Sequence, residues 1–362
     1  MVHRHPLQHL EDELAELRRR GLYRDPPEPL PAGALSFCSN DYLGLAQDFG
    51  GAGASRLIAG EHGEHRELER TITEWLGCEA SLAFTSGYAA NVGVLSALAR
   101  SGDLVVSDAL NHASLIDGAR LSRARIAVVP HLDIGAVEHA LRERQEARAW
   151  VVVESYFSMD ADGPDLARYR AACDANNAAL IVNEAHALGV LGPGGRGRCA
   201  EAEVTPDVLV GTLGKAFGGQ GAFVAGSTLL RRWLWNRARS FVFSTGLAPS
   251  CAAAATRAID HLRARPDLPA RVLDLASRLR SRLAAGGVVA GGFGHVVPIV
   301  IGTPDRALAI AERLRADGIS VQAVRPPTVP EGTSRIRVTV TAAHRVEDID
   351  RAAAALIRTL AV

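Results

Sequence analysis

Seven short apolar runs, each bounded by glycine or polar residues, constrain this chain more than any other feature. SLAFTSG, DLVVSDA, RIAVVPH, AWVVVESYF, AALIVNEAH, DVLVGTLG and AFVAGS follow one another between residues 81 and 227. Strands that are apolar almost throughout are those covered on both faces of a sheet. Helix-period stretches such as 91–100 and 165–176 lie between several of them. This order predicts an α/β fold with a mostly parallel sheet between helices. From about residue 252, long Ala/Leu/Arg helices precede HVVPIVIG, ISVQAVRP and RIRVTVTA, with further helices between and after. That pattern predicts a smaller C-terminal α+β domain. At the other end, Leu10, Leu14 and Leu17 form one stripe of a charged helix, followed by Pro26, Pro27, Pro29 and Pro31, which break helix. The expected division is a helical arm and connector at 1–33, a large domain at 34–262 and a small one at 263–362. A chain of 362 residues suits two packed cores better than one.

Composition excludes several function classes. Forty basic and forty acidic residues give a formal net charge of zero, so no field for nucleic acid or an anionic membrane is expected. No apolar run approaches the roughly 20 residues of a membrane span, and the N-terminus has no apolar core of a secretory signal. Cys38, Cys78, Cys173, Cys199 and Cys251 are scattered and form no CxxC. Reduced thiols and a cytoplasmic location are the expectation. Asp103, Asp108, Asp160 and Asp162 are not at metal-ligand spacing, and no metal is expected.

One residue type is nearly missing. Lys215 is the only lysine, and every other basic residue counted with it is arginine. A codon bias toward arginine accounts for the rest. Under such a bias, a lysine persists where arginine cannot replace it: a lysine amine can lose its proton and attack a carbonyl, which guanidinium does not do. Lys215 ends the run DVLVGTLG. In open α/β sheets ligands sit beyond the C-terminal strand ends, and other informative polar residues fall on the same rim. Ser86, Gly87 and Tyr88 open a helix after the first run, offering backbone N–H groups suited to a phosphate, although Ser-Gly there is more often only a helix cap. Ser158 follows the fourth run, and Asn183, Glu184 and His186 follow the fifth. His186 alone would more often be a satisfied core histidine. The runs 192–197 and 50–56 are rich in glycine but lack the strand–loop–helix context or the lysine of a nucleotide loop, and read as connecting bends.

The ordered runs resemble one family. SNDYLGL at 39–45, GASRLIAGEHGEHRELE at 53–69, SGYAAN at 86–91, NHASLIDGARLS at 111–122, ESYFSMDAD at 154–162, NEAHALGVLGPGGRG at 183–197, GTLGKAFGG at 211–219 and RPPTVPEGTSRIRVTVTAAH at 325–344 are similar to those of the α-oxoamine synthases, fold-type-I transferases that depend on pyridoxal 5'-phosphate (PLP). The last run resembles most the branch that condenses L-alanine with a pimeloyl thioester, from pimeloyl-CoA or a pimeloyl carrier protein, in biotin biosynthesis. The resemblance implies that Lys215 carries PLP covalently and later moves the alanine Cα proton. It implies that His112 stacks on the cofactor ring, and that Ser158 and His186 bond its phenolic oxygen. Thr212, Ser86 and the backbone of Gly87 and Tyr88 would hold its phosphate, and Arg337 the amino-acid carboxylate. Arg24, Asn40 and Thr328 would line the acyl side. It also implies a homodimer with the site at the interface.

Two departures from the family pattern stand out. Asn183 occupies a position that is normally aspartate, whose charge keeps the cofactor's pyridine nitrogen protonated. The segment between Leu45 and Gly53 is shorter than in most relatives.

Overall fold

The computed structural model of the protein describes residues 5–27 and 50–361. All seven apolar runs are strands: β1 (Ala80–Phe84), β2 (Leu104–Asp108), β3 (Arg125–Val129), β4 (Ala149–Glu154), β5 (Ala179–Asn183), β6 (Val208–Thr212) and β7 (Ala222–Gly226). They form one sheet in the order β1-β7-β6-β5-β4-β2-β3. The neighbours from β6 through β5, β4 and β2 to β3 are parallel, whereas β7 runs antiparallel to both β1 and β6. The period-2 geometry of a strand sends alternate residues to opposite faces. Leu104, Val106, Val151, Val153, Leu180 and Val182 accordingly enter one core layer. Val105, Trp150, Val152, Ala179 and Ile181 enter the other. Two buried faces are what such apolar runs require.

The helices that cover these faces are fixed locally by caps. In chain order they include α1 (His9–Arg19), α2 (Gly63–Leu76), α3 (Gly87–Leu98), α4 (Ala113–Ser122), α5 (Ile134–Arg142) and α6 (Leu166–Ala175). Ser86 accepts from the Ala89 N–H at the start of α3, and Asp133 and Asp165 do the same for α5 and α6. Leu10, Leu14 and Leu17 of α1 are buried in the same layer as Trp150 and Trp233, so the predicted leucine stripe docks the arm on the large sheet.

The chain returns to the first layer through Ala252, Ala255, Ile259 and Leu262 of the helix Pro249–Ala264. A second core begins at Leu275. It is built on a three-stranded antiparallel sheet, β8 (Val296–Gly302), β10 (Ser334–Thr339) and β9 (Gln322–Val324), in the order β8-β10-β9. Helices Asp267–Ala285, Pro304–Ala316 and Val346–Leu360 cover it. The predicted run 319–326 yields only the short β9, because the chain turns at the following prolines.

The glycine-rich run at 192–197 is a connection that contains a 3-10 turn at Pro193–Gly195 and leads into the helix Gly197–Glu201. Gly197 sits at φ 87° with the Glu184 carboxylate where a Cβ would lie, 2.6 Å from its oxygen, so no side chain fits there.

Candidate active site

Parallel strands place their C-terminal ends on one rim, and the chemistry gathers there. Glu154, Asn183 and Thr212 are the last residues of β4, β5 and β6. Glu154 and Asn183 are register partners on adjacent strands. Lys215 follows β6 by three residues and lines a cavity of about 730 Å³ between the two sheets, together with His186, His295 and Arg337. A second cavity of about 620 Å³ holds His112, Glu154, Ser158 and Thr328. Arg337 links the two: its Nε donates to the Ser158 carbonyl at 2.8 Å. Both terminal amino groups of that guanidinium have no partner among the described residues, which leaves that edge, of a shape that can pair with a carboxylate, open.

The electrostatics suit proton transfer at the lysine. Burial pushes the Lys215 pKa down to about 8, opposed by the nearby Glu154 carboxylate and helped by Arg337. Near neutrality the amine therefore loses its proton far more readily than an ordinary lysine. Burial pushes His186 down to about 2, and the positive charges of Lys215 and Arg337 add to this. His112 is also lowered, by burial and then by Lys215. Both imidazoles are neutral in this setting. Glu154 moves the other way, up to about 7, because burial outweighs its hydrogen bond from the His112 backbone N–H at 2.7 Å and the pull of Lys215.

A directed chain of hydrogen bonds runs behind the rim. Asn183 Nδ2 donates to Asn91 Oδ1 at 3.1 Å. Asn91 Nδ2 donates to Ser114 Oγ at 2.8 Å. Ser114 Oγ lies 2.7 Å from His112 Nδ1, which also accepts from the Ser114 backbone N–H at 3.2 Å. An Nδ1 that accepts from an N–H carries no proton, so the Ser114 hydroxyl donates to it. The Asn183 Oδ1 accepts from the Ala185 N–H at 2.9 Å. Adjacent Glu184 points elsewhere, accepting from Ser155 Oγ and the Arg198 and Cys199 N–H groups.

Ser86, Gly87, Tyr88 and Thr212, the residues expected to hold a phosphate, line neither cavity, and what the first three offer is backbone at a helix start. Gly87 and Tyr88 open α3, and a Cβ at Gly87 would meet nothing closer than the Thr212 side chain at 3.9 Å. Ser86 caps the helix, and the Tyr88 hydroxyl donates to Asp117 at 2.6 Å. The Thr212 hydroxyl is turned inward to the Gly221 carbonyl at 3.2 Å.

Of the predicted site residues, Lys215, His186, His112, Asn183, Ser158, Thr328 and Arg337 line these cavities or bond the groups that do. Arg24 lines neither: its N–H and guanidinium engage Asn236. Asn40 lies outside the described residues, as do SNDYLGL and most of the shortened 45–53 segment. Glu154 and His295 were not singled out by sequence reasoning. Glu154 ends an apolar run, the signal that flagged Asn183. His295 carries no such signal, because its place depends on packing against Tyr156 across the two sheets, with ring centroids 5.3 Å apart.

The model for aminotransferases of class I and II matches residues 33–356. The chain belongs to this family. It is 43% identical over 360 residues to a putative 8-amino-7-oxononanoate synthase of Bacillus licheniformis, covering 94% of each. It is 42% identical to an 8-amino-7-oxononanoate synthase of Mycolicibacterium smegmatis, covering 98% of this chain and 97% of that one. Among solved structures, serine palmitoyltransferase of Sphingomonas wittichii superposes with a TM-score of 0.83 at 27% identity, covering 98% of this chain and 96% of that one. The protein is thus a PLP-dependent transferase of the α-oxoamine synthase group with the fold-type-I architecture.

The donor set fits the cofactor. A buried amine of lowered pKa that can form an imine, a helix N-terminus whose first residue has no side chain and two imidazoles lie on one rim, with Asn183 in place of the family's aspartate as the one departure.

Proposed function

We propose that this enzyme condenses L-alanine with a pimeloyl thioester, releasing the free thiol and CO₂ and yielding 8-amino-7-oxononanoate. The observation that carries the reading is the meeting of Lys215 and Arg337 in one cavity. A depressed amine can take and return a proton at Cα, and an open guanidinium edge can hold the carboxylate beside it. The choice of L-alanine and a pimeloyl thioester, on CoA or a carrier protein, rests on the names of relatives at 42–43% identity.

PLP, bound through Lys215, supplies an electron sink conjugated to the amino-acid Cα. The chain's residues do the rest. Arg337 grips the carboxylate through its two free amino groups while Ser158 holds its Nε. Once the alanine amine has taken its place on the cofactor, the freed Lys215 amine would accept the Cα proton and later return one. His112 would stack on the cofactor ring, and Ser158 and His186 would bond its phenolic oxygen. Ser86, Thr212 and the backbone of Gly87 and Tyr88 would hold the phosphate, the Thr212 hydroxyl leaving the Gly221 carbonyl to do so. Thr328 lines the acyl side beside His112 and Ser158. Arg24 and Asn40 are assigned to that side by resemblance alone. Condensation joins the alanine Cα to the thioester carbonyl carbon and expels the thiol. Loss of the original carboxylate as CO₂ and reprotonation complete the balance.

Purified enzyme given L-alanine and pimeloyl-CoA should release free thiol and form the amino ketone. Glycine or serine with another acyl donor supporting faster turnover would assign a different member of the group. Asn183 favours one further reading, a PLP-binding homologue without turnover. Absence of solvent exchange at the alanine Cα would select it.

A further inference from the structure

His131, two residues beyond β3, is placed where neither the apolar pattern nor the proposed chemistry uses it. Its Nδ1 lies 2.9 Å from Asp108 Oδ1, and its Nε2 lies 3.2 Å from both carboxylate oxygens of Asp162. The ring stands edge-on to Phe157, centroids 4.6 Å apart. Asp108 is almost wholly buried at the end of β2, and it also accepts the Leu110 and Leu132 N–H groups at 2.8 Å each. Both ring nitrogens face carboxylate oxygens, and a neutral imidazole has only one N–H, so a fully bonded His131 is an imidazolium.

The two carboxylates root two different walls of one cavity. Asp108 precedes His112 by four residues, and Asp162 follows Ser158 by four. The 157–162 loop closes on itself through the Phe157 N–H to the Asp162 carbonyl at 2.8 Å. It meets the small sheet through two arginines of β10. Arg335 bonds the Met159 carbonyl at 2.9 Å and the Asp160 carboxylate at 2.5 Å, and Arg337 bonds the Ser158 carbonyl.

We propose that His131 is a positioning residue: its imidazolium ties the His112 turn to the 157–162 loop, and through the Ser158 carbonyl it sets the angle of the Arg337 guanidinium toward the amino-acid carboxylate. The inference rests on the carboxylate role proposed for Arg337.

The charge persists through the working range. Burial opposes it, but the hydrogen bonds and charges of Asp108 and Asp162 prevail and push the His131 pKa up to about 10. The other ionisable groups around the clamp include Glu154 on β4, which senses both Asp108 and His131, Tyr156 after β4, which senses Asp162, and Tyr169 on α6, which senses Asp108 and Asp133. A raised histidine pKa contributes stability that is complete below about 6.5 and is lost as the pH rises through about 10.

The test measures the L-alanine dissociation constant of the PLP-loaded enzyme by spectral titration at pH 7.5, with thermal unfolding alongside. His131→Gln should weaken alanine about tenfold and leave turnover at saturating alanine within about threefold. Asp162→Asn, at the half-exposed end of the clamp, should shift affinity the same way, and it serves if His131→Gln does not fold. In an Arg337→Ala background the His131→Gln effect should vanish, because the clamp acts through that guanidinium. A packing role alone would lower the melting temperature and give the same loss in both backgrounds. Unchanged alanine affinity in both clamp variants, or additive losses with Arg337→Ala, overturns the proposal. If Arg337→Ala alone leaves alanine affinity unchanged, the carboxylate reading fails instead.

Discussion

Replacing Asn183 with aspartate tests how the rim is wired. In the wild-type protein the Asn183 amide donates to Asn91, and each later bond points the same way, through Ser114 to His112. A carboxylate at 183 keeps the Ala185 N–H on one oxygen but sets the other against Asn91 Oδ1, 3.1 Å from where the amide nitrogen stood. Asn91 must then turn its amide over. Its Nδ2 donates to the new carboxylate, its Oδ1 takes the Ser114 hydroxyl proton, and His112 Nδ1 keeps only the Ser114 backbone N–H. Three neutral bonds of about 1 kcal/mol each thereby become one neutral bond and one to a carboxylate of about 1.5–3 kcal/mol, so gain and loss nearly cancel. Ground-state stability should therefore move little, with the melting temperature within about 2 °C of wild type.

The rate should move more. On the placement that the family resemblance implies, a carboxylate at 183 would lie beside the cofactor's pyridine nitrogen and favour its protonated form, which best accepts the charge that develops at the alanine Cα. A charge-assisted bond exceeds a neutral one by about 1–2 kcal/mol, and that difference acts in the transition state, so proton removal should accelerate about 5- to 30-fold. The assay is deuterium exchange at the alanine Cα in D₂O with PLP-saturated enzyme, alongside the PLP dissociation constant, which should change less than threefold. Exchange that is unchanged or slower in Asn183→Asp refutes the reasoning and means that the relay from Asn91 to His112 is tuned to an amide.

Borohydride reduction of the holoenzyme should fix the cofactor on the peptide containing Lys215 and no other, by peptide mass mapping; Lys215→Ala should still bind PLP non-covalently while losing turnover. Arg337→Ala should weaken alanine binding by about 2–5 kcal/mol, read as the alanine dissociation constant, with PLP affinity retained. Glu154 has a folded pKa raised to about 7 from an ordinary 4.5. The folded state binds its proton more tightly than the unfolded chain does, so this group's contribution to stability is complete below about 4.5 and is lost as the pH rises through 7. Glu154→Gln keeps an oxygen for the His112 N–H, and urea midpoints of the apoprotein should show a shallower decline from pH 4.5 to 7 than in wild type.

The parts that one run of sequence can specify were legible in advance. Each of the seven large-sheet strands follows from an apolar run long enough to cross a buried sheet, and Lys215 follows from chemistry that arginine cannot perform. The strand-end rule then put Asn183, Thr212 and Lys215 on one rim without any knowledge of contacts. The rule stops where a residue's role is set by what lies across from it. Glu154 ends β4 as Asn183 ends β5, yet only its burial beside Lys215 and the His112 N–H gives it a pKa near 7. Arg337 was legible as a residue type in a motif, but its geometry comes from a carbonyl 179 positions away. Arg24 marks the same limit from the other side, since it hydrogen-bonds Asn236 and not the rim. His131 shows why such pairings stay hidden. Its two partners are separated by 54 positions in sequence, from Asp108 to Asp162, and neither is near a recognisable ligand spacing. Only the parallel order of β4, β2 and β3 brings those strand ends together. A long-range charged pairing of this kind leaves no periodicity, so it is found by asking which buried carboxylates the folded chain must neutralise. Asp108, buried and holding two backbone N–H groups, is where that question leads to His131.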